Sequence, residues 1–325
     1  MTRAIPPLDL MFLLAERPTQ PSHVGALMLF TPPPRAGRGY VSRQVRRYRA
    51  IAPVAPFNQV AEFPLVGRPR WRETAAPDMR YHVRHLALPG PGSDAQLWDL
   101  VEELHAVSLD RDQPLFRAMF IEGLAGGRFA LYTQIHHAIV DGVSGLARTT
   151  AAFNDRPQAQ ALRAIFGGDV VPPAGHRRGA RPGALLAALG TGRDQARGLA
   201  DLSRFLVRRA GEALRRSGAD DTPPGSRLFS SARLQTTGRS GARRAFAAFT
   251  LAAADVDRCR RAFGGTVNDV AMAVVDAGLS RYLEGHGAAV RAPIVCMCPV
   301  NLRDSADAEA TIRVSAVFVP MGRPG

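Results

Sequence analysis

The stretch Tyr132-Thr-Gln-Ile-His-His-Ala-Ile-Val-Asp-Gly-Val-Ser-Gly145 decides how this chain is read. A strand-like run leads into two adjacent histidines, and Asp141-Gly142 then turns the chain toward a helix predicted from Ser144 to Phe153. Successive side chains of a strand point to opposite faces, so His136 and His137 diverge while the strand persists. That geometry argues against their serving one reaction as an equivalent pair, or holding one metal together. Zinc binding by a helical pair needs His-x-x-x-His, which this stretch lacks. His137 shares its face with Phe129, Leu131 and Ile135. Asp141 follows beyond a turn, where it can brace the strand end or orient an imidazole. The residues alone also allow a plainer reading, a buried His–Asp pair that only satisfies itself.

Working outward, Phe116–Leu124 and Arg128–Ile135 predict a hairpin across Ala-Gly-Gly. A strand is predicted over His23–Phe30 and ends at Pro32-Pro-Pro34, because proline cannot donate to a ladder. Another is predicted over Tyr81–Leu88. Residues 41–51 are helical and basic, 52–75 irregular. Leu97, Leu100, Val101 and Leu104 give Asp94–Val107 a helical period. Residues 154–182, rich in Pro, Gly, Ala and Arg, read as a linker or surface loop. Next come Leu199, Leu202, Phe205, Leu206 and Leu214, flanked by Arg204, Arg208, Arg209, Arg215 and Arg216, a basic amphipathic helix. The remainder predicts a strand over Phe246–Leu251, helices over Ala253–Phe263 and Val267–Leu283, and strands over Ile294–Pro299 and Val314–Pro320. Cys296 and Cys298, two apart on a strand, read as small core fillers.

Composition excludes several classes. The chain has 325 residues, 46% of them hydrophobic, enough for a sizeable core and two domains. No run of eighteen apolar residues and no secretory signal are visible, so a cytoplasmic protein without a spanning helix is expected. Three cysteines cannot make a disulfide framework. The net charge is +14, and all 42 basic residues are arginine. Residues 176–244 hold 15 of these against 5 acidic residues, a local excess of +10. With no recognition motif or aromatic stacking platform, nucleic-acid binding is not expected.

His136-His137-Ala-Ile-Val-Asp141-Gly142 matches the HHxxxDG motif of acyl-CoA- and carrier-dependent acyltransferases. Pro7-Leu8-Asp9-Leu-Met-Phe12 matches PLDxxF of the bacterial wax ester synthase/diacylglycerol acyltransferase family. Tyr81-His-Val-Arg-His-Leu, Pro114-Leu-Phe, Ile121-Glu-Gly-Leu, Thr266-Val-Asn268-Asp269, Pro299-Val-Asn-Leu-Arg303 and Val314–Pro320 follow in that family's order. The chain therefore resembles that family over nearly its whole length, and a peptide-synthetase condensation domain is disfavoured by Pro7–Phe12.

The resemblance implies an α/β (α+β) chain with a chloramphenicol acetyltransferase-like two-half acyltransferase fold and mixed sheets. Residues 1–160 form the half carrying HHxxxDG, 161–224 a basic linker with the amphipathic helix, and 225–325 a partial second half, expected to be cut short. It also implies a fatty acyl-CoA donor and diacylglycerol or a long-chain alcohol as acceptor, with His137 as general base and no metal or redox cofactor. His136 is expected to point away and support the fold, Asp141 to orient or pair, and Gly142 to permit the tight turn. Asn268 and Asp269 match a family signature, although Thr266-x-x-Asp269 also reads as a helix-capping box. Pro7, Leu8, Asp9 and Phe12 either line the acyl or acceptor channel or anchor the N-terminus. The basic segment suits a membrane or lipid-droplet surface, or the phosphates of CoA. The alternative is a truncated, non-catalytic remnant that binds lipid surfaces.

Overall fold

The computed structural model describes residues 2–153, 162–170, 241, 243–287, 294–301 and 314–321. They fall into two compact units, residues 2–153, 162–170, 241 and 243–247 in the first and 248–287, 294–301 and 314–321 in the second.

The first unit is built on a four-stranded mixed sheet, β2 (His23–Phe30), β7 (Phe129–His136), β6 (Phe116–Glu122) and β5 (Val83–Ala87), in that spatial order. β7 runs antiparallel to both neighbours, whereas β5 and β6 are parallel. All eight residues of β7 are buried, as befits a central strand covered on both faces. On one face Phe129, Leu131 and Ile135 join Phe116, Phe120, Phe57 and the helix α2 (Tyr40–Ala50), through Val41, Val45 and Tyr48. On the other, Ala130 and Tyr132 meet Met119, Ile121 and the helix α4 (Asp94–Ala106), through Leu97 and Val101. Each large apolar side chain enclosed in this way contributes roughly 1.5–3 kcal/mol. α4 starts at a capping box in which Ser93 and Gln96 each hold the other's backbone N–H.

A smaller antiparallel sheet, β1 (Thr2–Ala4), β4 (Arg70–Glu73) and β3 (Gln59–Glu62), lies with the helix α1 (Pro7–Ala15). Ile5, Leu13, Trp71, Leu109, Leu115 and Ala138 form their shared core. Ala138 belongs to the turn after β7, so this small core is built against the histidine stretch itself.

The second unit holds the helices α6 (Ala253–Ala262) and α7 (Val267–Gly285) and an antiparallel pair, β8 (Ile294–Asn301) with β9 (Val314–Met321). The expected capping box is present, with Thr266 and Asp269 exchanging side-chain-to-backbone bonds at the start of α7. Cys296 and Cys298 share a face 3.9 Å apart but are only half-buried, not enclosed as core fillers would be.

Some expectations need correction. Residues 52–75 contain β3 and β4, each only four residues long and too brief to show a period. The strand expected over Tyr81–Leu88 starts at Val83, because Asp78 caps a helical turn, α3 (Met79–His82). Phe246–Leu251 joins no ladder. Residues 162–170 are irregular as expected, yet Ala164, Ile165 and Phe166 are core rather than surface, closing the face of the sheet beside α2. The amphipathic helix expected over Leu199–Arg216 lies outside the described residues.

Candidate active site

β7 ends at His136, and the chain leaves it in a turn closed by Ile139 N–H donating to the His136 carbonyl at 3.1 Å. The alternation of a strand thus stops between the two histidines. The His136 ring is fully buried, and its Nδ1 accepts the Ala138 N–H at 3.0 Å. An accepting Nδ1 carries no proton, so the neutral ring is protonated on Nε2, which faces Glu16 Oε2 at 3.6 Å. His137 is half-buried. Its backbone N–H donates to the Ser22 carbonyl at 2.8 Å, and its ring stacks on Phe12 with centroids 4.5 Å apart and planes 9° from parallel.

Asp141 caps the helix α5 (Gly142–Ala152), accepting from the Ser144 backbone N–H at 2.7 Å and from the Ser144 hydroxyl. A carboxylate there satisfies an orphan donor and suits the positive end of the helix. The helix therefore begins two residues earlier than predicted. Gly142 is its first residue, with no left-handed φ and open space where a Cβ would stand, so the turn does not require glycine here.

α1 meets this turn along one face. Asp9 and Phe12 of the helix and Glu16 at its C-cap, at positions i, i+3 and i+7, face Asp141, His137 and His136 in turn. Asp9 is buried, and its Oδ1 has no hydrogen-bond partner. Burial raises its carboxyl to about 7; the charge of Arg3 opposes the rise and the Asp141 carboxylate adds to it. Pro7 and Leu8 stand in the first turn of the same helix. Asp9 and Phe12 of PLDxxF thus lie against the HHxxxDG turn.

Glu16 did not figure among the sequence candidates. Its Oε1 accepts the Ser22 N–H at 3.0 Å, and its Oε2 pairs with Arg111 Nη2 at 2.9 Å. Burial alone would raise this carboxyl, but His136, the Ser22 N–H and Arg111 together outweigh it and bring it down to about 2. Its spacing from Asp9 and Phe12 on one helical face is the signal that would have found it. Arg111, far away in sequence, left no such signal.

A second polar cluster flanks His136 on its sheet. His23, its register partner on β2, has its Nε2 3.0 Å from the His105 carbonyl oxygen and 3.2 Å from Gln134 Nε2, and burial lowers its imidazole to about 4. His105 Nδ1 and the Tyr132 hydroxyl are 2.6 Å apart. Asn268 and Asp269 lie in the other unit, exposed in the first turn of α7.

A mixed sheet with a buried central strand that runs out into paired histidines and an aspartate-capped helix defines a condensation-type fold. The first condensation domain of the calcium-dependent antibiotic synthetase shares this fold with a TM-score of 0.56 at 17% identity, over 98% of this chain and 69% of that one. Within that class the match narrows. The family model for the wax ester synthase/diacylglycerol acyltransferase catalytic domain matches residues 5–271. A probable diacylglycerol O-acyltransferase, Tgs4, of Mycobacterium tuberculosis is 34% identical over 336 aligned residues, covering all of this chain and 69% of its own length. The wax ester synthase/diacylglycerol acyltransferase of Marinobacter aquaeolei VT8 superposes with a TM-score of 0.69 at 29% identity, over 92% of this chain. The chain belongs to the wax ester synthase/diacylglycerol acyltransferase family, a family of acyltransferase enzymes. It spans 65% of the length of the Marinobacter chain.

Proposed function

We propose that the chain transfers a fatty acyl group from acyl-CoA to the hydroxyl of diacylglycerol or of a long-chain alcohol, with His137 as the general base. The observation that carries this reading is the setting of His137. Its backbone is hydrogen-bonded to Ser22 and its ring is held flat against Phe12, while the residue stays half-buried at the end of the central strand. An alcohol is a weak nucleophile until its proton is removed, and a neutral imidazole with a pKa of about 6.5 is suited to take it near neutral pH. The alkoxide oxygen forms a bond to the thioester carbonyl carbon, giving a tetrahedral oxyanion. Its collapse breaks the C–S bond, and His137 returns the proton to the departing CoA thiolate. The products are an ester and free CoA, with no oxidant, reductant or covalent enzyme intermediate.

His136, with its ring engaged by Ala138 N–H and facing Glu16, is assigned to support of the turn. Asp141 is assigned to the cap of α5, with Gly142 as that helix's first residue, and Asp9 and Phe12 to the helix that covers the turn. Asn268 and Asp269 are assigned to the start of α7. The substrates are lipids, and the arginine-rich segment 176–244 supports action at an anionic membrane or lipid-inclusion surface.

Thiol release from palmitoyl-CoA, measured with and without diolein or hexadecanol, tests the reading. Acceptor-dependent release is expected, with kcat falling by about 10²–10⁴-fold in His137→Ala. A folded chain that releases no thiol would reject the activity and favour a lipid-surface role without turnover. Release unaffected by His137→Ala would reject the general base.

A further inference from the structure

We propose that Glu16 is the positioning residue of the site, holding the backbone on both sides of His137 from a single carboxylate. The inference rests on the reading of His137 as the general base.

Two hydrogen bonds fix the peptide groups around His137. Its own N–H donates to the Ser22 carbonyl at 2.8 Å, and the N–H of the next residue, Ala138, donates to His136 Nδ1 at 3.0 Å. Both supports lead back to Glu16. Oε1 accepts the N–H of Ser22, at 3.0 Å, and so sets the residue whose carbonyl holds His137. Oε2 faces His136 Nε2 at 3.6 Å, on the ring edge opposite the one that holds Ala138. The imidazole has two ring nitrogens and one proton when neutral. A carboxylate beside Nε2 favours the proton there and leaves Nδ1 free to accept. Glu16 therefore selects the tautomer on which the Ala138 bond depends.

The carboxylate is itself held. Its side chain is only 5% exposed, and Arg111 reaches Oε2 through Nη2 at 2.9 Å and through Nε at 3.3 Å. The same guanidinium donates to the Leu13 carbonyl in the last turn of α1. Arg111 thus ties the carboxylate to the helix that carries Phe12, the residue stacked on the His137 ring. Glu16 makes no hydrogen bond to His137, so its effect runs entirely through Ser22 and His136.

The test uses the full chain, with kcat and KM for thiol release measured on parent, Glu16→Gln, His136→Gln, the double variant and His137→Ala. Glutamine keeps an oxygen for Ser22 but places an uncharged amide against His136. For Glu16→Gln, kcat is expected to fall by about 10- to 100-fold with KM within about twofold, the signature of a misplaced base rather than of lost substrate binding. The double variant is expected to be no worse than the more damaged single one, because the two residues form one support. In ¹⁵N-histidine NMR the His136 ring is expected to show one fixed tautomer in the parent and to lose it in Glu16→Gln. Parent-like kcat in Glu16→Gln, a loss confined to KM, or losses that multiply in the double variant would each overturn the proposal. If Glu16→Gln does not fold, His136→Gln tests the same support, and parent-like kcat there overturns it. Activity that survives His137→Ala marks failure of the general-base reading, whereas an inactive His137→Ala beside a parent-like Glu16→Gln marks failure of this proposal alone.

Discussion

Asp9, in the first turn of α1, and Glu16, at its C-cap, hold their carboxyls in opposite states. Glu16 has an arginine, a backbone N–H and an imidazole around it, and its carboxyl stays ionised down to about pH 2. Asp9 is buried with an unpartnered Oδ1 and has the Asp141 carboxylate nearby, and its carboxyl rises to about 7. The raised value has a sign. In the unfolded chain Asp9 ionises at 3.8, so below that pH both states are protonated and its contribution to stability is intact. That contribution is lost as pH rises through the folded value of about 7. Asp9→Asn removes the titration. Its stability relative to the parent is expected to improve from about pH 4 to about pH 8 by a few kcal/mol, at about 1.4 kcal/mol per pKa unit. Urea unfolding at the two pH values checks this, and equal differences at both would show that Asp9 is ionised in the folded chain.

At the scale of elements, the join before α4 is a close backbone approach. Gly92 has a φ of +71°, and a Cβ there would stand 1.8 Å from the Gly123 carbonyl oxygen. Ala125 N–H donates to the Gly92 carbonyl at 2.8 Å, so the loops before α4 and after β6 are in backbone contact. Neither backbone can withdraw without losing that bond. Gly92→Ala is therefore expected to cost about 2 kcal/mol or more. Gly142→Ala, in open space with no left-handed φ, is expected to change stability by no more than about 1 kcal/mol, since alanine is the better helix former. Urea midpoints of the two variants measure the contrast. A mild Gly92→Ala would mean that the two loops can separate. The connection from the arginine-rich segment also reaches this unit. Arg244 donates to the Thr19 carbonyl at 2.8 Å, Phe246 N–H donates to Glu102, and the Phe246 ring stands edge-on to His105 at 5.2 Å.

For the whole molecule, the distribution of charge matters more than its total. The excess of +10 in residues 176–244 leaves only +4 for the rest of the chain. No helix among the described residues is long and apolar enough to cross a membrane. The proposed attraction of the arginine-rich segment to an anionic lipid surface is electrostatic, with a reach of roughly 10 Å at 0.1 M salt. The chain is expected to float with vesicles containing phosphatidylglycerol, to ignore phosphatidylcholine vesicles, and to detach at about 1 M salt. Replacing Arg204, Arg208, Arg209, Arg215 and Arg216 with glutamine is expected to weaken flotation. Salt-resistant binding to neutral vesicles would instead point to an exposed apolar surface.

Much of this architecture was legible in the sequence. The hairpin of β6 and β7, the helices α4 and α7 and the β8 and β9 strands follow from runs long enough to show a period of two or 3.6. The HHxxxDG and PLDxxF stretches carried the family. β3 and β4 were illegible because four-residue strands show no period, and residues 162–170 because burial of an irregular loop leaves no pattern at all. The sequence by itself determined the motif side chains of the site, His136, His137 and Asp141, since local chemistry places two histidines at a strand end and an aspartate before a helix. Only the tertiary structure decided how they are used. Glu16 and Arg111 are 95 residues apart, and His137 is 125 beyond Phe12, so no local rule relates them. Their meeting depends on α1 packing across the end of the central strand, and that is where the state of each carboxyl and the tautomer of His136 are set.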